Sequence, residues 1–217
     1  RGDTIEKINL GISSSFSLKG LQIEPQNLTF EYVKSNNSYK MYGALKSSLE
    51  GNQIELQLGG SSEPGLIIEN GGIKKIETTV NADFSFSGMV FKPKNLTFLY
   101  NESSDLFEMY GETDTYFDGE SVLVSMGTSN SPGLEYQNNQ IEKINLGVSS
   151  NFSLKEIEIE PINLTFEYEK LDKSYKIHGE LKSALEANKL DLDFGNTLGP
   201  GVIIRNGIIE KIEATVT

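Results

Sequence analysis

The chain has 217 residues, and its 19 Lys plus Arg against 31 Asp plus Glu leave a net charge of −12, which argues against nucleic acid or an anionic bilayer as its partner. At 37% apolar, with 9 Tyr and 11 Phe, it is too hydrophobic for a disordered tail, and no unbroken apolar run approaches the length of a membrane helix. Zero Cys excludes disulfide frameworks, thiol catalysis and Cys-ligated zinc, and a single His leaves no basis for a His-built centre.

In chain order, Arg1-Gly2-Asp3-Thr4 begins no signal peptide and aligns with residues that precede a turn further on. It reads as the tail of a preceding unit, and its integrin-type tripeptide carries little weight at what are elsewhere hairpin positions. Ile8, Leu10, Ile12, Ser14, Phe16 and Leu18 then alternate with polar residues, the period of a first strand. A break around Pro25 precedes a second strand in which Leu28, Phe30 and Tyr32 alternate with Asn27, Thr29 and Glu31. After the polar turn Ser35 to Ser38, a third strand places Tyr39, Met41, Gly43, Leu45 and Leu49 on one face. Gly51-Asn52 is a hairpin signal, stronger still as Asp118-Gly119 further on. Ile54, Leu56 and Leu58 mark a fourth strand, and the Pro64-Gly65 turn leads to a short fifth, Leu66 to Glu69, closed by Asn70-Gly71.

The whole pattern then restarts. Asn27-Leu28-Thr29-Phe30 recurs as Asn95-Leu96-Thr97-Phe98 and Asn163-Leu164-Thr165-Phe166, at intervals of 68 residues without a gap. Gly43, Gly111 and Gly179 keep that interval, as do Pro64, Pro132 and Pro200. The chain therefore divides into a tail of a preceding unit (1–4), three complete units (5–72, 73–140 and 141–208) and the start of a further one (209–217). The first and third share 41 of 68 positions, the first and second 23, so the order of kinds is A, B, A. The closing segment matches the second unit at six of nine positions and predicts a B-type unit to follow. The chain is thus expected to be an excerpt of a longer array. The expected fold is all-β: tandem units of about five antiparallel strands in a meander, stacked into an elongated, solenoid-like sheet. An odd strand count would make successive units enter the sheet in opposite directions and would account for copying in pairs.

Catalytic chemistry is not expected. His178 stands where the other units have Tyr42 and Tyr110, on the outer face of the third strand, and reads as a solvated or cross-strand histidine. There is no nucleophile elbow, P-loop, zinc-protease or dinucleotide motif, and no catalytic, cofactor or metal residue is assigned. The most distinctive charges are Glu108, Glu112, Asp114 and Asp118 on one face of the second unit's third strand, where the A units place Lys40, Lys46, Lys176 and Lys182. The units carry −2, −6 and −3. Three readings stand: a solvated acidic face, complementarity between neighbouring A and B units, or calcium at the carboxylates, although no EF-hand loop is present. Six N-x-S/T triplets, at Asn27, Asn36, Asn95, Asn101, Asn151 and Asn163, include the three Asn-Leu-Thr copies, which fall inside a predicted strand.

Together, the Cys-free units, the Asn-Leu-Thr-Phe strand, the Ser/Thr-rich first strand and the Pro-Gly turn followed by Leu or Val resemble tandem segments of very large bacterial surface or secreted, adhesin-like proteins. The resemblance spans the whole chain. It implies an extracellular or cell-surface strut, monomeric as a fragment, whose partners are its neighbouring repeats. The five-strand unit is also similar to the repeating β-groove of bridge-like lipid transfer proteins and AsmA/TamB-type envelope proteins, which implies an open apolar gutter for acyl chains. A glycan- or protein-binding module is a third reading, weakened by the absence of Trp. The apolar face separates the first two: a strut must bury Phe16, Phe30, Met41 and their repeat mates, whereas a groove must leave them reachable.

Overall fold

The computed structural model describes residues 6–49, 52–86, 89–117, 120–138, 140–154, 157–171, 173–185, 188–205 and 208–216. The first third holds β1 (Lys7–Ile12), β2 (Phe16–Leu18), β3 (Leu21–Val33), β4 (Ser38–Leu49), β5 (Asn52–Gln57) and β6 (Leu66–Glu69). The middle third holds β7 (Gly72–Val80), β8 (Phe84–Phe86), β9 (Met89–Pro93), β10 (Thr97–Asn101), β11 (Leu106–Tyr110), β12 (Glu112–Phe117) and β13 (Glu120–Ser125), then β14 (Gly127–Thr128), β15 (Ser131–Pro132) and β16 (Leu134–Gln137). The last third holds β17 (Gln140–Val148), β18 (Phe152–Leu154), β19 (Ile157–Glu169), β20 (Ser174–Leu185), β21 (Asn188–Asp193), β22 (Gly195–Asn196), β23 (Gly199–Pro200), β24 (Val202–Arg205), β25 (Ile208–Ile212) and β26 (Thr215–Val216). Among the described residues the fold is all-β, with one 3₁₀ turn at Lys34–Asn36 and a 22-stranded antiparallel sheet as its main feature.

The strands join into long ribbons, and their number differs from the expected meander of five. Along β4, Ala44 pairs with Gln57 of β5 and Met41 with Leu66 of β6, both antiparallel. β5 and β6 therefore run in one direction, end to end, as one ribbon interrupted by a small hairpin that Gly59 and Pro64 bridge. Likewise β1 and β2 both lie along β3. Four ribbons is an even number, so β7 and β17 run in the same direction as β1, and the directional argument for paired copying falls. The second ribbon also starts earlier than the alternation of Leu28 and Phe30 indicated. Lys19-Gly20 makes the turn, and β3 runs from Leu21 through Pro25 with a register shift between Pro25 and Asn27. The hairpin at Asp118-Gly119 falls on residues outside those described, but Phe117 and Glu120 pair on either side of it. Asn70 and Gly71 both have positive φ, the geometry of the hairpin turn their sequence signals.

A flat sheet would leave its apolar face in water, and this one is not flat. Phe16 and Leu18 on β2 line the same internal space as Phe98 on β10 and Phe107 on β11. In sheet order β2 and β11 are six ribbons apart, roughly 29 Å at the usual strand spacing, so the sheet must curl until one part of its apolar face lies on another. The first edge of the sheet meets its middle where Lys19 Nζ, after β2, reaches Asp105 Oδ1, between β10 and β11, at 3.0 Å. One continuous core results, fully excluding Leu96, Phe98 and Met109 from solvent at 0% exposure.

The bend runs through a line of glycines. Gly111, between β11 and β12, has φ +122°, and a Cβ there would lie 2.3 Å from the Asn95 carbonyl oxygen. The same contact would be 1.9 Å for Gly43 on Asn27 and 2.2 Å for Gly179 on Asn163. Only a residue without a Cβ lets two backbones approach this closely at that φ. Gly111→Ala should therefore destabilise the protein by about 1–3 kcal/mol in urea denaturation, whereas Gly147→Ala, whose nearest atom is the Ser125 Cβ at 3.8 Å, should change stability by less than about 0.5 kcal/mol.

Candidate functional site

The first place to look is the apolar interior. The space lined by Phe16, Leu21, Met41, Leu56, Phe98 and Phe107, among others, has a volume of about 20 Å³. Small-molecule sites run to several hundred Å³, so this is a packing gap smaller than any acyl chain. Aromatic rings fill the interior around it: Phe98 stacks on Phe107 at 5.4 Å between centroids, and Phe84 on Phe91 at 5.3 Å. Of the residues that separate groove from core, Met41, Phe84, Phe98 and Met109 are buried, while Phe16, Phe30, Phe152 and Phe166 are half-buried at the two flanks of the sheet.

The second place is the acidic row. Glu108 is buried at 7% exposure, lies opposite Leu99 and Glu135, and accepts a hydrogen bond from Asn101 Nδ2 at 2.9 Å. Asp114 lies 2.9 Å from Lys94 Nζ, and Glu135 lies 3.6 Å from Lys143 Nζ. Glu112 shares the outward face of the same ribbon but sits beyond the bend, and Asp118 is outside the described residues. Glu108, Asp114 and Glu135 thus each meet an amide or ammonium, and among the described residues no three acidic or imidazole groups converge to hold a metal ion.

His178 sits across from Thr165, on the outward side of β20 as its sequence position implies, but it is buried at 8% exposure and not solvated. Its Nε2 is 3.4 Å from Glu167 Oε1 without hydrogen-bond geometry. Glu167 also accepts from Asn145 Nδ2 at 3.3 Å. In the first third the equivalent carboxylate, Glu31, takes Lys7 at 2.8 Å, and that hydrogen bond raises the Lys7 ammonium above its ordinary value. On the other half of the outer face, the hydrogen bond to the Tyr116 hydroxyl does the same for Lys92, whose Nζ also lies 4.8 Å from the ring centroid. The ammonium occupies the ring face a sugar would need. Tyr42 and Tyr110 are half-buried.

Two of the three Asn-Leu-Thr copies lie inside a strand, in β3 and β19, but at irregular points of it. Asn95 occupies the bend between β9 and β10, and Asn27 and Asn163 flank register shifts, Asn163 with φ +55°. The Asn95 side chain accepts the Glu112 N–H at 2.7 Å, beside Gly111. The motif therefore builds the bend, with Asn at the corner and Leu96 and Phe98 behind it in the core. The signal for this was present in the sequence as a fixed spacing of 16 residues from each Asn to its Gly, which alternation alone does not expose. Arg1-Gly2-Asp3 lies outside the described residues.

Compared with family models, curated proteins and solved structures, the chain matches none. What it does rests on its own geometry. Phe98→Ala should cost about 3–5 kcal/mol, and Phe98→Asp, which buries an unpaired carboxylate, should abolish cooperative unfolding in thermal circular dichroism. A cooperatively folded Phe98→Asp protein would instead indicate an interior open to solvent or lipid.

Proposed function

We propose that this chain is a non-catalytic structural segment, a strut or stalk built of stacked 68-residue units at 5–72, 73–140 and 141–208, within a larger bacterial surface or adhesin-like protein. The observation that carries the reading is how burial varies along equivalent positions. Phe98 is fully buried, while Phe30 and Phe166, one period to either side, are half-buried. Ile76 and Ile144 are 7% and 6% exposed, and Ile212, on the last ribbon, is 68% exposed. This is the pattern of units that cover one another's apolar faces, where the middle one has a neighbour on both sides. The accessible surface, 12349 Å² for 24.0 kDa, exceeds the roughly 9,900 Å² of a compact globule of that mass, as an elongated body requires. The interior gap lined by Phe16, Met41 and Phe98 is about 20 Å³, too small to seat an acyl chain, which counts against the lipid-groove reading.

Small-angle scattering of the 217-residue chain tests the shape: a radius of gyration well above the ~17 Å of a compact globule is expected, and a value at ~17 Å would sink the strut. A native mass spectrum taken without calcium or detergent should show a bare monomer. Adducts at lipid mass would put the groove reading first.

A further inference from the structure

The contact across the curl joins two turns that differ between unit kinds. Lys19, in the turn between β2 and β3, reaches Asp105, in the turn between β10 and β11 of the next unit, at 3.0 Å. The Tyr100 hydroxyl donates to the same carboxylate oxygen, the Lys19 ammonium lies 5.3 Å from the Tyr100 ring centroid, and Gln137 Nε2 holds the Asp105 carbonyl at 3.0 Å. Asp105 sits at φ +56°, as Asn37 and Lys173 do at +49° one period to either side, so the turn's shape is common to all and only its side chain changes.

We propose that Lys19 is a recognition residue, and that the A-type turn selects as its neighbour the unit kind that carries the Tyr100–Asp105 pair. This rests on the reading of the chain as stacked 68-residue units. Both A units have lysine at this position, Lys19 and Lys155, where the B unit has Ser87. On the receiving side the tyrosine is shared, as Tyr32, Tyr100 and Tyr168, so discrimination falls on one position: Asn37, Asp105 or Lys173. A on B sets an ammonium against a carboxylate. A on A would set it against an amide or a second ammonium, removing the attraction or replacing it with repulsion. The Tyr100 hydroxyl and Lys19 hold the Asp105 carboxyl below its ordinary 3.8, and Tyr100 and Asp105 raise the Lys19 ammonium above its ordinary 10.5. The acid's contribution is lost only as pH falls through its lowered value, and the base's only as pH rises through its raised one. The pair is therefore fully charged at neutral pH.

Hydrogen exchange on the full chain tests this, with Lys19→Asp, Asp105→Lys and the double reversal. Each single change should speed exchange at both turns by about threefold, an ordinary size for a half-exposed pair, and the double should return it to the wild-type rate. Replacing residues 102–105 with Lys-Ser-Asn-Asn, the first unit's turn, removes the carboxylate and should speed exchange at both turns, by less than Asp105→Lys, which adds repulsion. Wild-type exchange in the single variants, or no rescue in the double, would overturn the recognition role. So would a grafted turn that stays protected. Coupling in a chain whose radius of gyration is that of a compact globule would remove the stacking reading while leaving the contact itself, so the two failures are distinguishable.

Discussion

The structure depends on one constraint: a sheet of alternating strands has an apolar face that must be covered, and among the described residues it is the sheet itself that covers it. No helix of more than one turn lies among the described residues. To close on itself the sheet has to bend across every ribbon at the same level, and a bend through hydrogen-bonded strands leaves little room for side chains at the corner. Gly43, Gly111 and Gly179 supply that room, each against the carbonyl of an asparagine on the neighbouring ribbon. At the one corner where the side-chain bond is seen directly, Asn95 also takes up the Glu112 N–H, which the bend withdraws from the ladder. Leu96 and Phe98 follow immediately and anchor the corner in the core.

Much of this was legible in the residues, and the parts that were not share a cause. Alternation gives the face of each strand, so Met41, Leu56 and Leu66 fall in the core as their phase requires. Alternation says nothing about whether two consecutive strands reverse or continue. β5 and β6 are separated by a turn whose Pro64-Gly65 looks like any reversal, yet the hairpin at Gly59 and Pro64 returns the chain to the same line along β4. Nor does it say where a flat sheet becomes a bent one, because Gly43 keeps the apolar phase of its strand while breaking the strand's direction. The burial of His178 was equally hidden. The histidine lies on β20 between β19, opposite Thr165, and β24, whose pairing with β20 ends at Ile177, and alternation does not name that second neighbour.

The ungapped period has a physical reason in the same geometry. Each unit we propose has an even number of ribbons, so every unit presents its bend at the same level and its apolar side to the same interior. Register shifts recur between Ile67 and Ile68, Glu135 and Tyr136, and Ile203 and Ile204, one period apart, where the fourth ribbon of one unit meets the first of the next. Inserting one residue into a ribbon would turn its downstream apolar residues outward and carry its glycine away from the facing asparagine. Length is therefore held by two independent requirements, face and corner, while the polar positions between them are free to change.

That freedom locates where one unit can be told from another. The interior is filled by residues of similar kind in every unit, as Phe30, Phe98 and Phe166 illustrate, and apolar contact of this sort accepts any neighbour with a matching row. It supplies cohesion with little discrimination. Charge at the rim works in the opposite way, being weak in free energy but sharp in sign. The outer row opposes Glu31 to Lys40 in the first unit and Glu167 to Lys176 in the third, while the second opposes Leu99 to Glu108 and Glu108 to Glu135. On the reading we propose, an array held together by a common core and differing only in its rim can be lengthened without redesigning its interior, with Lys19 and Asp105 among the few side chains that would set the order of its units.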